Sequence, residues 1–180
     1  MTGKAVIHAT MSLDGFIAGP DDDMSWMSDY VGPNRVADEV IRTAGAVVSG
    51  SRLFRLIQSE DQLPYGGATK VPVFVLSHHP QEPITQFGVT FSFITDGLEV
   101  AIKRAKSAAG DKNVMLFGAS IAQQCLKLGL VDEIQIHLVP LLLGAGVRLF
   151  DGMWAEGIRL VRIQLVESPK VTDLRFRVLS

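Results

Sequence analysis

Cysteine is all but missing from this chain, with Cys125 its only example. A single thiol excludes an internal disulfide framework and points to a reducing compartment, so a cytoplasmic location is expected. An excess of positive charge is missing too: 17 Lys and Arg stand against 19 Asp and Glu, a formal net charge of -2. Without a basic field the chain has no general grip on a polyanion, and no nucleic-acid partner is expected. Long apolar runs are likewise absent. The longest, Leu138 to Val147, is interrupted by Pro140, Gly144 and Gly146 and falls far short of the roughly 20 residues that cross a bilayer. No membrane segment is expected, and His8 breaks the apolar stretch Ala5-Val6-Ile7 before a signal-peptide core could form.

What is present is enough apolar material for a full core: 180 residues, 47% of them hydrophobic, read as one domain over 1–180. Ala5 to Thr10 predicts a strand that enters a long loop, Ser12 to Tyr30, where Asp21-Asp22-Asp23 is mixed with Trp26 and Tyr30. Pro33 suits a first helical residue, and Val36, Ala37, Val40, Ile41 and Ala44 recur at helical spacing up to Gly45. Ala46 to Ser49 predicts a strand, Gly50-Ser51 a turn and Arg52 to Gln58 the start of a helix. Strands are expected over Val71 to Ser77, Val89 to Ile94 and Asn113 to Phe117. Asp96 with Glu99, and Ser120 with Gln123, have capping-box spacing for two further helices, closed by Gly110 and Gly129. Alternation of strand and helix calls for a parallel sheet. Glu133 to Leu143, Ile158 to Val166 and Val171 to Leu179 lack intervening helices, so they should add antiparallel strands, the last two joined by a hairpin at Ser168-Pro169-Lys170.

Two strand-to-helix junctions are built of small residues: Ser49-Gly50-Ser51-Arg52 and Phe117-Gly118-Ala119-Ser120. Helix N-termini carry free N-H groups and a positive partial charge, and small side chains let a phosphate approach them. Either junction alone is an ordinary tight turn. Together, beyond the carboxyl ends of parallel strands, they suit two phosphate groups or the two halves of one dinucleotide. Arg52 at the first junction and Ser77-His78-His79 at another strand end add donors fit for a 2'-phosphate, which favours NADPH over NADH. The two histidines His78 and His79 fit a solvated loop equally well.

Met11-Ser12-Leu13-Asp14-Gly15-Phe16-Ile17-Ala18, Ser49-Gly50-Ser51-Arg52, Val75-Leu76-Ser77, Phe117-Gly118-Ala119-Ser120, Gly129-Leu130-Val131-Asp132-Glu133 and Pro140-Leu141-Leu142-Leu143-Gly144-Ala145-Gly146 follow one another in order. This set resembles the dihydrofolate-reductase-like proteins related to the reductase domain of the bifunctional riboflavin-biosynthesis deaminase/reductase, over essentially the whole chain. The resemblance implies an α/β dihydrofolate-reductase-like three-layer sandwich, its mixed central sheet mainly parallel with antiparallel C-terminal strands. It implies that Ala9, Thr10 and Ile17 lie near a nicotinamide. Gly50, Ser51, Arg52 and Leu53 with Phe117, Gly118, Ala119, Ser120 and Ile121 would take the diphosphate, and Ser77 and His78 the adenosine phosphate. A homodimer formed through the C-terminal strands is also implied. His78 stands where many members carry Arg, and Ser25 precedes Trp26 where an acidic residue is common. The substrate-binding carboxylate of true dihydrofolate reductases has Asp29 as its nearest counterpart.

The resemblance implies an NADPH-dependent reductase of a small heterocycle, either a ribosylaminopyrimidine of riboflavin biosynthesis or a pterin. The deaminase half has no counterpart, because the Cys and His set of its zinc site is missing. Asp14 and Asp29 are the candidate catalytic carboxylates, though an Asp-Gly pair also serves simple turn chemistry. Trp26 and Tyr30 are candidate walls of the substrate pocket or plain packing. His8 and His137 lie on apolar strand patterns and read as hydrogen-bonded core histidines; Asp21-Asp22-Asp23 reads as a solvated acidic loop rather than a calcium loop. Two other readings stand beside the reductase: a dimeric nucleotide-binding protein without turnover, and a flavin-binding α/β domain.

Overall fold

The computed structural model describes residues 3–152 and 157–179. Ala5–Ser12 forms strand β1, with Ala5 and Ile7 in one core and Val6 in the other, so both faces of the strand are covered. After the short β2 (Phe16–Ala18) and two 3-10 turns, Pro20–Asp22 and Ser25–Asp29, come α1 (Arg35–Thr43) and β3 (Ala44–Gly50). Helix α2 (Ser51–Leu56), 3-10 turns at Glu60–Gln62 and Pro64–Gly67, and strands β4 (Val73–Leu76), β5 (Ile84–Gln86) and β6 (Val89–Ile94) follow. The chain continues through α3 (Leu98–Ala109), β7 (Asn113–Phe117), α4 (Ala119–Lys127), β8 (Glu133–Val139), β9 (Val147–Arg148), β10 (Leu160–Glu167) and β11 (Thr172–Val178).

Nine strands form one sheet in the order β10-β11-β8-β1-β7-β3-β4-β6-β5, while β2 and β9 make a separate ribbon. The pairs from β8 to β6 are parallel, and β11, β10 and β5 are antiparallel additions. Helices α3 and α4 cover one face through Leu98, Ala101, Ile102, Ala105, Ile121, Ala122 and Cys125. Val40 of α1 and Phe54 of α2, with Ile57, Leu63 and Tyr65, cover the other. The expected three layers and antiparallel C-terminal strands are therefore present.

The helix starts differ from the sequence reading. Asn34, not Pro33, opens α1: its Oδ1 accepts from the amides of Val36 (2.8 Å) and Ala37 (3.1 Å). Neither capping box forms. Gly97 and Gly118 hold the N-cap positions of α3 and α4 with φ of 97° and 92°, a left-handed region open to glycine, and no side chain caps either helix. Asp96 instead meets Arg104 at 3.6 Å, and Gln124 rather than Gln123 bonds the Ser120 hydroxyl, at 2.9 Å. The strand expected through Leu143 ends at Val139, before Pro140, and α2 ends at Leu56 rather than Gln58. Strands β2, β5 and β9 were not foreseen.

Candidate active site at the carboxyl edge of the sheet

The site follows from strand order. From β3 the chain passes through α2 outward to β4, whereas from β7 it passes through α4 across β1 to β8. The connections diverge between β3 and β7, and such a divergence opens a crevice above the carboxyl ends of the strands. There Ser49 and Phe117 are register partners, so the junctions at Gly50-Ser51 and Gly118-Ala119 stand side by side. A Cβ added to Gly50 or Gly118 would meet nothing within 4 Å, so the cradle between them is open. Helix α4 runs nine residues and presents a proper N-terminal dipole; α2 has only six and contributes free N-H groups with little dipole.

Other strand ends complete the edge. The amide of Ser77 after β4 donates to the Ile94 carbonyl at 3.0 Å, bringing Thr95-Asp96-Gly97 alongside. Gly97, with φ 97° and open space around it, is thus a third glycine junction on the same edge, one that the sequence does not single out. The Ser77 hydroxyl accepts from the His79 amide at 3.1 Å, and His78 is exposed beside it. Ala9 and Ile17 pack against the α3/α4 core, and Thr10 is half-buried on the opposite face of β1. Ile121 is 2% exposed in that core, so only its amide could serve a phosphate. Leu53 is half-buried on α2.

Arg52 differs most from expectation. Its guanidinium is engaged by the Asp22 carboxylate, which places the acidic loop over the first junction. Asp21 and Asp22 take left-handed φ values of 56° and 63° there, uncommon for residues with a side chain. Asp14 is equally committed. Its Oδ1 accepts from the Ser12 hydroxyl (2.6 Å) and the Leu143 amide (3.1 Å), and its Oδ2 from the Gly144 amide (2.7 Å). The Ser12 hydroxyl foremost, then the Gly144 and Leu143 amides, hold its carboxyl down at about 2. Asp14 thereby fastens the loop after β1 to the loop after β8.

Asp29 is exposed, and its carbonyl, not its carboxylate, is held, by Lys170 Nζ at 2.8 Å. That bond draws the Ser25–Asp29 turn toward the C-terminal hairpin, and no described bond brings Asp29 to Asp14 or to either junction. Trp26 and Tyr30 are half-buried on the same segment, with the indole N-H of Trp26 enclosed and unpaired.

The sequence reading missed the polar lining of the crevice floor. Ser49 is fully buried on the face shared with Val47, and its hydroxyl has no partner among the described residues. The Tyr65 hydroxyl is also enclosed and unpaired, and burial pushes its phenol well above the usual range. Tyr65 packs edge-on to Phe117, centroids 5.1 Å apart, and against His8 at 5.5 Å. Orphaned polar atoms beside an open glycine cradle are what a polar ligand would satisfy. Ser49 could have been found from its inward strand position; Tyr65 could not, because a loop places it.

A family model described as "RibD C-terminal domain" matches residues 4–173. The uncharacterized protein YwjB of Bacillus subtilis is 25% identical over 158 residues, 87% of each chain. A solved structure of a protein assigned to riboflavin biosynthesis in Shewanella sp. PV-4 superposes with TM-score 0.80 at 24% identity, covering 98% of this chain and 99% of the other. The diaminohydroxyphosphoribosylaminopyrimidine deaminase/5-amino-6-(5-phosphoribosylamino)uracil reductase of Thermotoga maritima gives TM-score 0.72 at 15% identity, with 99% of this chain covering 57% of that one. The dihydrofolate-reductase-like fold, and a match that spans nearly every strand of the sheet, make this chain a member of the RibD C-terminal domain family.

Proposed function

We propose that the chain is an NADPH-dependent reductase of a small heterocyclic substrate, of the 5-amino-6-(5-phosphoribosylamino)uracil reductase type or acting on a pterin. The observation that carries this reading is the register pairing of Ser49 with Phe117, which sets two open glycine junctions side by side at the divergence of the sheet. The residues present fit a dinucleotide. The amides at the start of α4 and around Gly50-Ser51 would hold the diphosphate, while Ser77 and His78 would face the adenosine phosphate. Bound NADPH supplies hydride; the protein's part is to align it with an electrophilic carbon and keep water out.

Trp26, Tyr30 and Tyr65 are the side chains we assign to the substrate. The reading places the chain in the cytoplasm, where its one free, buried thiol suits a reducing medium. We infer also that the exposed hydrophobic side chains of β10 pair two copies into a dimer.

Calorimetry with NADPH and NADH tests the cofactor, and loss of reduced-nicotinamide absorbance with the pyrimidine or dihydrofolate tests the reaction. Uptake of NADPH with turnover of either substrate supports the reading. No uptake of any pyridine nucleotide overturns it, and uptake without oxidation would make the chain a binding protein. Arg52→Ala should weaken NADPH by about 1.5 to 3 kcal/mol, the value of a charge-assisted bond, while Asp22→Ala should tighten it by freeing the guanidinium.

A further inference from the structure

Reduction of a C=N or C=O bond needs more than hydride. The carbon takes hydride, the electron pair of the π bond moves to the heteroatom, and that atom must gain a proton. Asp14 spends both carboxylate oxygens on the Ser12, Leu143 and Gly144 donors, and no described hydrogen bond ties the Asp29 carboxylate to either glycine junction.

On the face that carries Ser49, Tyr65 and Phe117, a different set of groups is connected. His8 Nε2 lies 2.7 Å from His137 Nε2, the two rings edge to face. His137 Nδ1 in turn bonds Asp173 Oδ1. Asn34 Nδ2 donates to both oxygens of Asp173, at 3.0 and 3.1 Å. His137 and Asp173 are 5% and 1% exposed, so two titratable groups have been buried in contact where apolar side chains would have packed at lower cost. His8 retains some accessible surface and stacks on Tyr65, at the floor of the crevice.

We propose that His8, His137 and Asp173 form a proton relay serving the ligand in the crevice, with His8 the member that meets it and His137 and Asp173 positioning residues that act through His8. This inference rests on the reductase reading above.

In the loaded state the stored proton sits on His137, between the Asp173 carboxylate and His8. His137 Nε2-H donates to His8 Nε2, and His8 carries its own proton on Nδ1. As the substrate heteroatom takes that Nδ1 proton, the His137 Nε2 proton crosses to His8 Nε2. The result is one proton transferred, His137 neutral with Nδ1-H still on Asp173, and His8 neutral in its other tautomer. His8 is never a cation, which suits its surroundings: burial foremost, then His137 and Arg175, hold its imidazole down at about 3. Arg175 of β11 is engaged by Gln135 Oε1 of β8 at 2.8 Å and by Glu39 of α1 at 3.2 Å; Tyr65 contributes only a neutral phenol. Water refills the relay when product leaves.

The test combines nitrogen NMR of histidine-labelled full-length protein with turnover. NADPH should shift the His8 and His137 signals together, and Asp173→Asn should change the tautomer of His137. Asp173→Asn and His137→Gln should lower kcat about a hundredfold, with KM and NADPH affinity little changed. His8→Gly should be partly restored by free imidazole. If Asp173→Asn does not fold, the wild-type NMR shifts and the His8→Gly rescue decide. Unmoved His8 signals in protein that calorimetry shows to be loaded, or a folded Asp173→Asn with unaltered kcat and pH profile, would overturn the relay alone. Failure of wild-type protein to take up NADPH would overturn the reductase reading and the relay with it.

Discussion

Asp14 joins two chain segments 129 residues apart through a single carboxylate. Its folded value of about 2 lies below the roughly 3.9 of an unfolded aspartate, so the folded state binds fewer protons in that interval. The stabilisation is complete above about pH 4 and is lost as pH falls toward 2. Asp14→Asn should therefore lower the thermal midpoint at pH 6, and the gap from wild type should close when both are melted at pH 2. A gap independent of pH would mean that the amides, not the charge, carry the link. The sequence offers Asp14 as a catalytic carboxylate or a turn residue but cannot show its long-range partners. The same limit hides the pairing of Arg52 with Asp22: each is a plausible solvated charge until folding brings them together.

At the level of elements, glycine position determines what substitution does. Gly146 has φ 128°, and a Cβ there would lie 2.1 Å from the Ala18 carbonyl oxygen, inside the crossing of β2 and β9. Gly118 is equally left-handed but faces open space. Gly146→Ala should lose at least about 1 to 3 kcal/mol in urea unfolding. Gly118→Ala should fold with a smaller loss while NADPH affinity drops roughly tenfold or more, as backbone strain moves the α4 amides. Equal effects on both assays would contradict this division. Long elements are legible because their periodicity is long: α3 buries Leu98, Ala101, Ile102, Ala105 and Ala109 at helical spacing. Strands of two or three residues, β2, β5 and β9, have no period to detect. The cap positions differ because positive-φ glycines hold them, Gly97 one residue after Asp96 and Gly118 two residues before Ser120.

For the whole molecule, the decisive property is strand order, and sequence did not contain it in readable form. The alternation of elements predicts parallel pairing, yet placing β7 between β1 and β3 depends on how α3 and α4 pack. That insertion is what brings Gly118 beside Gly50. The opposite edge has its own consequence. Strand β10 ends the sheet with Leu160, Val161, Ile163 and Leu165 between 40% and 46% exposed, and a bare edge of this kind invites a partner. A dimer covering about 800 Å² per chain should appear in sedimentation, and Leu165→Glu should shift it to monomer with NADPH affinity kept. Sedimentation of wild type as a monomer at micromolar concentration would rule the interface out.

Cys125 lies on the inner side of α4 with no exposed surface, and burial pushes its thiol up to about 12. At neutral pH it is neither ionised nor reachable, so an alkylating probe can label only those molecules in which the helix has lifted from its strands. The labelling rate then reports how often that happens. An occupant seated on the amides at the start of the same helix should slow it, giving a measure of occupancy that needs no substrate.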